Sequence, residues 1–275
     1  MGGIITTNCV VQRLTDFLWV PAHSTHDDDQ CRRIARVLHA LRESIERLDS
    51  WYESVEYVKP LDPSAPAIHP RFFPSPNAYR HDDALVKFAY QAPLERNVSC
   101  VTYLAKTIEA SPRYIVVKFV TSYGVDAHRN MASAGFAPQL LYCGNIDVDA
   151  GMPSYGDLRM VVMEYVKGLT FEEASKQETV FTRFKADLRR AFEQLHGAGY
   201  VFGDLRQPNV IVIPEGTTST AQLIDFDWAG KAGEVKYPVF ISSSIDWPAG
   251  VQGLAPIQKE HDLAMLDLLT SRWEA

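Results

Sequence analysis

Residues 199–227 read GYVFGDLRQPNVIVIPEGTTSTAQLIDFD, and the reading of this stretch decides the rest. Two apolar runs, 210–213 and 221–224, flank a polar Pro-Glu-Gly-Thr-Thr-Ser-Thr segment, a pattern that predicts a β-hairpin with a polar loop. Asp204 and Asn209 stand just before the first run, and Asp225 stands just after the second. An antiparallel hairpin therefore brings these three oxygen-bearing side chains to one end. Carboxylate and amide oxygens are hard ligands suited to magnesium, and a carboxylate clear of the metal can take a proton.

Upstream, Phe184, Leu188, Ala191, Phe192 and Leu195 recur at helical spacing within 182–196, which ends at Gly197. A short helix is expected at 171–176. Runs rich in Val, Tyr, Phe and Thr at 84–90, 100–107 and 113–120 predict antiparallel strands. A helix over 125–134 closes at Gly135, and two more strands are expected at 140–143 and 160–165. Past Asp227 regular patterning is sparse until a last helix at 261–269. Six prolines between residues 58 and 77 leave room only for an extended connector. Before it, Ile34, Val37, Leu38, Leu41, Ile45, Leu48, Trp51 and Tyr52 mark a long amphipathic helix over 30–55. That helix either packs on the following domain or serves a protein partner.

Asp204 and Asn209 keep the D-x-x-x-x-N spacing of a protein-kinase catalytic loop, and Asp225-Phe226 falls where Asp-Phe-Gly follows it. Ile115-Val116-Val117-Lys118 is similar to the Val-Ala-Ile-Lys strand whose lysine meets nucleotide phosphates, and residues 161–168, VVMEYVKG, resemble the passage from strand to hinge. The chain from about 84 to 270 thus resembles the protein-kinase-like superfamily. The resemblance implies an α+β, two-lobed fold with a reduced C-terminal lobe and an N-terminal helical extension. Its parts would be an extension at 1–80, an N-lobe at 81–166 and a C-lobe at 167–275. Lys118-Phe119-Val120-Thr121-Ser122-Tyr123-Gly124, Gly135-Phe136-Ala137-Pro138 and the Asp225–Gly230 hexapeptide further resemble compact kinase-like proteins of mushroom-forming fungi.

The resemblance also implies roles. Asp204 would orient the acceptor hydroxyl, Arg206 would screen the transferring phosphoryl group, and Lys118 would hold the phosphates of ATP. Asn209 and Asp225 would hold magnesium. Met163 would be the gatekeeper, with the backbone of Glu164 and Val166 facing adenine. No glutamate is available on the 125–134 helix to pair with Lys118, so Asp126 is the expected substitute, with His128 as the alternative. Asp262 resembles the acid that opens a large-lobe helix and braces the catalytic loop.

The departures are equally specific. Residues 91–99 contain no glycine, so the phosphate-covering loop lacks the residues that let backbone amides approach closely. Phe202-Gly203 replaces His-Arg, giving a Gly203-Asp204 pair similar to aminoglycoside and choline kinases. Asp227 replaces the glycine of Asp-Phe-Gly. Two functions follow: an ATP- and magnesium-dependent kinase acting on a protein or small-molecule hydroxyl, or a pseudokinase working as a binding module.

Bulk properties limit the remaining classes. The 275 residues are 46% hydrophobic and 22% charged, as in a globular protein, and a net charge of −7 gives no footprint for nucleic acid. No apolar run reaches membrane-spanning length. Four scattered cysteines (Cys9, Cys31, Cys100 and Cys143) suggest free thiols and a cytoplasmic setting.

Overall fold

Alternating apolar residues fold into strands where the sequence predicts them, and the computed structural model adds the order in which they pair. It describes residues 2–5, 9–12, 27–54, 76–82, 84–94, 102–146, 158–175, 184–215 and 218–271. The chain divides into two compact units, Met1–Phe73 and Pro74–Ala275. In the first, β1 (Gly2–Ile5) pairs antiparallel with β2 (Cys9–Gln12), and α1 (Asp27–Ser54) is one continuous helix of 28 residues. Nearly all of the proline-rich connector lies outside the described residues. Among those residues, no helix is long and apolar enough to cross a membrane.

The second unit begins with β3 (Ala78–His81), β4 (Ala84–Pro93), β5 (Thr102–Thr107) and β6 (Tyr114–Val120). Then come α2 (Val125–Ser133), β7 (Leu140–Asn145) and β8 (Arg159–Glu164). The six strands form one antiparallel sheet in the order β3-β4-β5-β6-β8-β7. The sheet rolls until its two ends meet: the His81 Nδ1 lies 3.1 Å from the Leu141 carbonyl, and the Tyr79 and Tyr142 rings are 6.3 Å apart. Inside the roll, Tyr79, Phe88, Tyr103, Ile115, Val117 and Phe119 are buried. Each buried side chain of this size contributes about 1.5–3 kcal/mol.

Side chains alternate along a strand, so β6 turns Val116, Lys118 and Val120 to the other face. That face joins a second core, which includes Met131, Phe192, Phe202, Phe226 and Leu266. Its helical members come from α2, α4 (Phe184–Gly197), α5 (Lys259–Ser271) and the short α3 (Phe171–Ser175), into which β9 (Leu169–Thr170) leads. The decisive hairpin is present as β11 (Val210–Glu215) and β12 (Thr218–Leu223), with β9 on the outer side of β11. One expectation is corrected here. The polar segment is not a seven-residue loop, because both strands run into it and leave only two residues between them. Thr218 and Thr220 suit a strand, and Pro214 sits beyond the reach of β9, where no N–H is required.

Candidate active site

The loop that carries Asp204 leaves β10 (Tyr200–Val201), which pairs with β13 (Gly230–Lys231). It is pinned from α5. The buried Asp262 carboxylate accepts hydrogen bonds from the Phe202 N–H at 2.9 Å and the Gly203 N–H at 2.7 Å. Its Oδ2 also lies 2.9 Å from the His196 Nε2. The acid expected to brace the loop from the last helix therefore does so in this structure. Gly203 adopts φ +81°, and a Cβ there would stand 2.8 Å from the Ile257 Cδ1, so the turn needs glycine on both counts.

Asp204 comes next and is buried. Arg206 grips it with two bonds, Nε to Oδ1 at 2.5 Å and Nη2 to Oδ2 at 2.6 Å. The Asn209 Nδ2 donates to Oδ2 and to the Asp204 carbonyl, both at 2.9 Å. Burial pushes the Asp204 carboxyl above its ordinary range, and the Arg206 guanidinium opposes that shift. Both recorded bonds of the Asn209 side chain leave from its nitrogen, so its oxygen remains an acceptor. The Asn209 carbonyl receives the Ile224 N–H at 2.9 Å, which ties the loop to the residue before Asp225.

Asp225 and Asp227 project to one side while Phe226 between them projects to the other. The Lys118 ammonium donates to the Asp225 Oδ1 at 2.6 Å and to the Asp227 Oδ1 at 2.7 Å. Asp225 takes φ +69°, a left-handed conformation that aspartate tolerates better than most residues. Burial alone would lower the lysine, but the two carboxylates outweigh it and raise the ammonium above its ordinary value. The carboxylates part ways. Burial and the charge of Asp225 push Asp227 up to about 7 against the pull of Lys118. Asp225 is held below the usual range, Lys118 overcoming its burial.

The expected partner of Lys118 is therefore corrected. Asp126 is exposed on the first turn of α2 and makes no ion pair with the lysine. His128 is committed elsewhere: its Nδ1 is 2.8 Å from the Tyr123 hydroxyl and its Nε2 2.8 Å from the Pro138 carbonyl. Its ring stacks on Phe226 at 4.5 Å, and Phe226 meets Phe202 edge to face at 5.2 Å. Rings thus connect α2, the Asp225–Asp227 segment and the Asp204 loop.

The hinge residues are separate from this cluster in the bonding pattern. Met163 is buried in β8 and pairs with Val116. The Glu164 N–H donates to the Gln139 carbonyl at 3.0 Å, so that donor is not open to a ligand. Val166 lies two residues past the strand, partly buried. Among the described residues, no three His, Cys, Asp or Glu side chains converge into a metal cage.

No protein-family model matches the chain, and no curated protein matches it. Among solved structures the chain is similar to the Cydia pomonella granulovirus kinase PK-1, at 16% identity over 67% of this chain and 69% of that one, with a TM-score of 0.47.

Proposed function

We propose that the chain is a phosphotransferase that moves the γ-phosphoryl group of ATP, with magnesium, to a protein or small-molecule hydroxyl, on a two-lobed kinase-like scaffold. The observation that carries the reading is the convergence of Lys118, Asp225 and Asp227 beside the Asp204–Asn209 loop. The residues fit a divalent cation. Two carboxylate oxygens already hold one cation, the lysine ammonium, at 2.6 and 2.7 Å, and the Asn209 amide oxygen is left over as a hard ligand. Magnesium usually takes one or two carboxylates and completes its shell with waters and phosphates, so no larger cage is required.

Bound magnesium ATP supplies the transferable phosphoryl group and the charge that neutralises it. Asn209 and Asp225 would hold the ion, and Lys118 would turn toward phosphate oxygens. Asp204 would take the proton of the acceptor hydroxyl at Oδ1, which receives one donor where Oδ2 receives two. Its raised pKa makes it a stronger base than an exposed aspartate. The hydroxyl oxygen forms the new bond to phosphorus as the bond to ADP breaks. Arg206 would keep the charged loop in place and offset the negative phosphates. The free thiols of Cys31 and Cys143 support a cytoplasmic setting.

A second reading, a pseudokinase acting as a binding module, is favoured by one feature. Lys118 and Asp204 each meet an opposite charge without a ligand. Calorimetry of ATP binding with and without magnesium, on wild type and on Asp225→Ala, separates the two. The enzyme reading expects magnesium-dependent binding that Asp225→Ala abolishes, and turnover that Asp204→Asn lowers about 10²–10⁴-fold. No binding at millimolar ATP would overturn it.

A further inference from the structure

The helix α1 carries a pattern that the aspartate cluster does not explain. Ile34, Leu38, Leu41, Ile45, Leu48 and Tyr52 follow one another at steps of four, three, four, three and four residues. Alternating steps of four and three are the a/d pattern of a seam between two helices. Five of the six are between 45% and 66% exposed. In heptad letters Cys31, Leu38, Ile45 and Tyr52 take a, and Ile34, Leu41 and Leu48 take d.

The helix opens on Asp27, Asp28 and Asp29, as its dipole favours, and past them its charge is polarised. Between Gln30 and Arg42 there are four arginines and no carboxylate, and between Glu43 and Ser54 there are four carboxylates and one arginine. No basic residue occupies the last turn, where the dipole favours cations. The arrangement suits a neighbouring helix that runs the other way and sets acid against base.

We propose that α1 pairs antiparallel with the α1 of a second copy of this chain. Leu41 then packs against Ile45, Leu38 against Leu48 and Ile34 against Tyr52, in layers symmetric about Glu43. The contact is a two-fold one, using the same patch on both copies. The e positions that flank the seam, Arg42 and Asp49, face each other across an antiparallel pair. In a parallel pair Arg42 would face Val37 and Asp49 would face Ser44, and neither would meet an opposite charge. Arg42 bonds Glu46 within its own helix at 2.7 Å, a contact at the outer b position that pairing would exchange for Asp49 of the second copy. This inference does not depend on what the aspartate cluster does.

The full chain gives the test, by analytical ultracentrifugation and mild oxidation followed by peptide mapping. A dimer is expected at micromolar concentration, and Leu41→Glu should abolish it. Arg42→Glu should weaken it about tenfold, and the swap Arg42→Glu with Asp49→Arg should restore it. In an antiparallel pair the two Cys31 residues lie about 36 Å apart along the axis, at 1.5 Å per residue, and cannot cross-link. Ile34→Cys with Tyr52→Cys in a Cys31→Ser background should then give a dimer linked between those two positions. A native Cys31–Cys31 cross-link would show parallel pairing and overturn the proposal, as would a monomer at 100-fold higher concentration (about 100 μM).

Discussion

The inside of the rolled sheet and the aspartate cluster beside it are both buried, and they are held together in opposite ways. Inside the sheet Tyr79, Phe88, Tyr103 and Phe119 make ring contacts and remove area from water. The Tyr79 hydroxyl is buried there with no hydrogen-bond partner among the described residues. In the cluster, Asp262, Asp204 and Lys118 are buried and each has partners at 2.5–2.9 Å. Taking an ion out of water costs several kcal/mol, and well-packed apolar residues often do as well or better for stability. The sheet is therefore explained by folding alone. The cluster instead depends on every buried charge keeping its partner.

By that contrast, the largest loss comes from breaking one buried charge. Asp262→Ala strands the Phe202 and Gly203 N–H groups and should cost about 3–5 kcal/mol in urea unfolding. An unchanged midpoint would show that the loop holds itself. The next effect is one of pH. Burial lowers His128 from 6.5 to about 4, so the unfolded chain takes up a proton that the folded chain refuses. The His128 contribution to stability should fall by on the order of 3 kcal/mol as pH drops from 6.5 to about 4. Asp227 has the opposite sign: raised from 3.8 to about 7, it stabilises the fold at low pH and loses that contribution as pH climbs from about 4 to about 7. The two slopes oppose each other over one window, so His128→Gln should leave stability falling as pH rises through it and Asp227→Asn should leave stability rising. Equal profiles for the two variants would overturn both assignments.

Smaller effects sharpen the comparison. Gly203→Ala should cost about 1–3 kcal/mol from its positive φ and its approach to Ile257, and Ile257→Val should recover part of that. In the sheet the sign reverses. Tyr79→Phe removes an unpartnered hydroxyl and should stabilise the chain by about 1 kcal/mol in the same assay. Destabilisation would reveal a bonded water inside the roll.

Much of this was legible in the residues. The hairpin, the helices and five of the sheet strands follow from periodicity, and the Asp204–Asn209 spacing located the loop that Asp262 pins. β3 was not legible, because Ala78–His81 is four residues long, follows a proline-rich run and shows no alternation. The Lys118 partner was missed for a different reason. The resemblance pointed to an acid on the following helix, whereas Asp225, in a left-handed conformation, and Asp227 both meet the lysine. Direction at a single unusual φ is a property of three dimensions, and a string of letters does not carry it.

The closure of the sheet bears on how the chain behaves in a crowded solution. A strand at the rim of a sheet presents unpaired backbone groups on which a second chain can add a strand. Here β3 and β7 are turned toward each other, with His81 reaching the Leu141 carbonyl. Growth by strand addition finds neither rim open. The roll that buries the tyrosines also shields the rims of this sheet from templated strand addition.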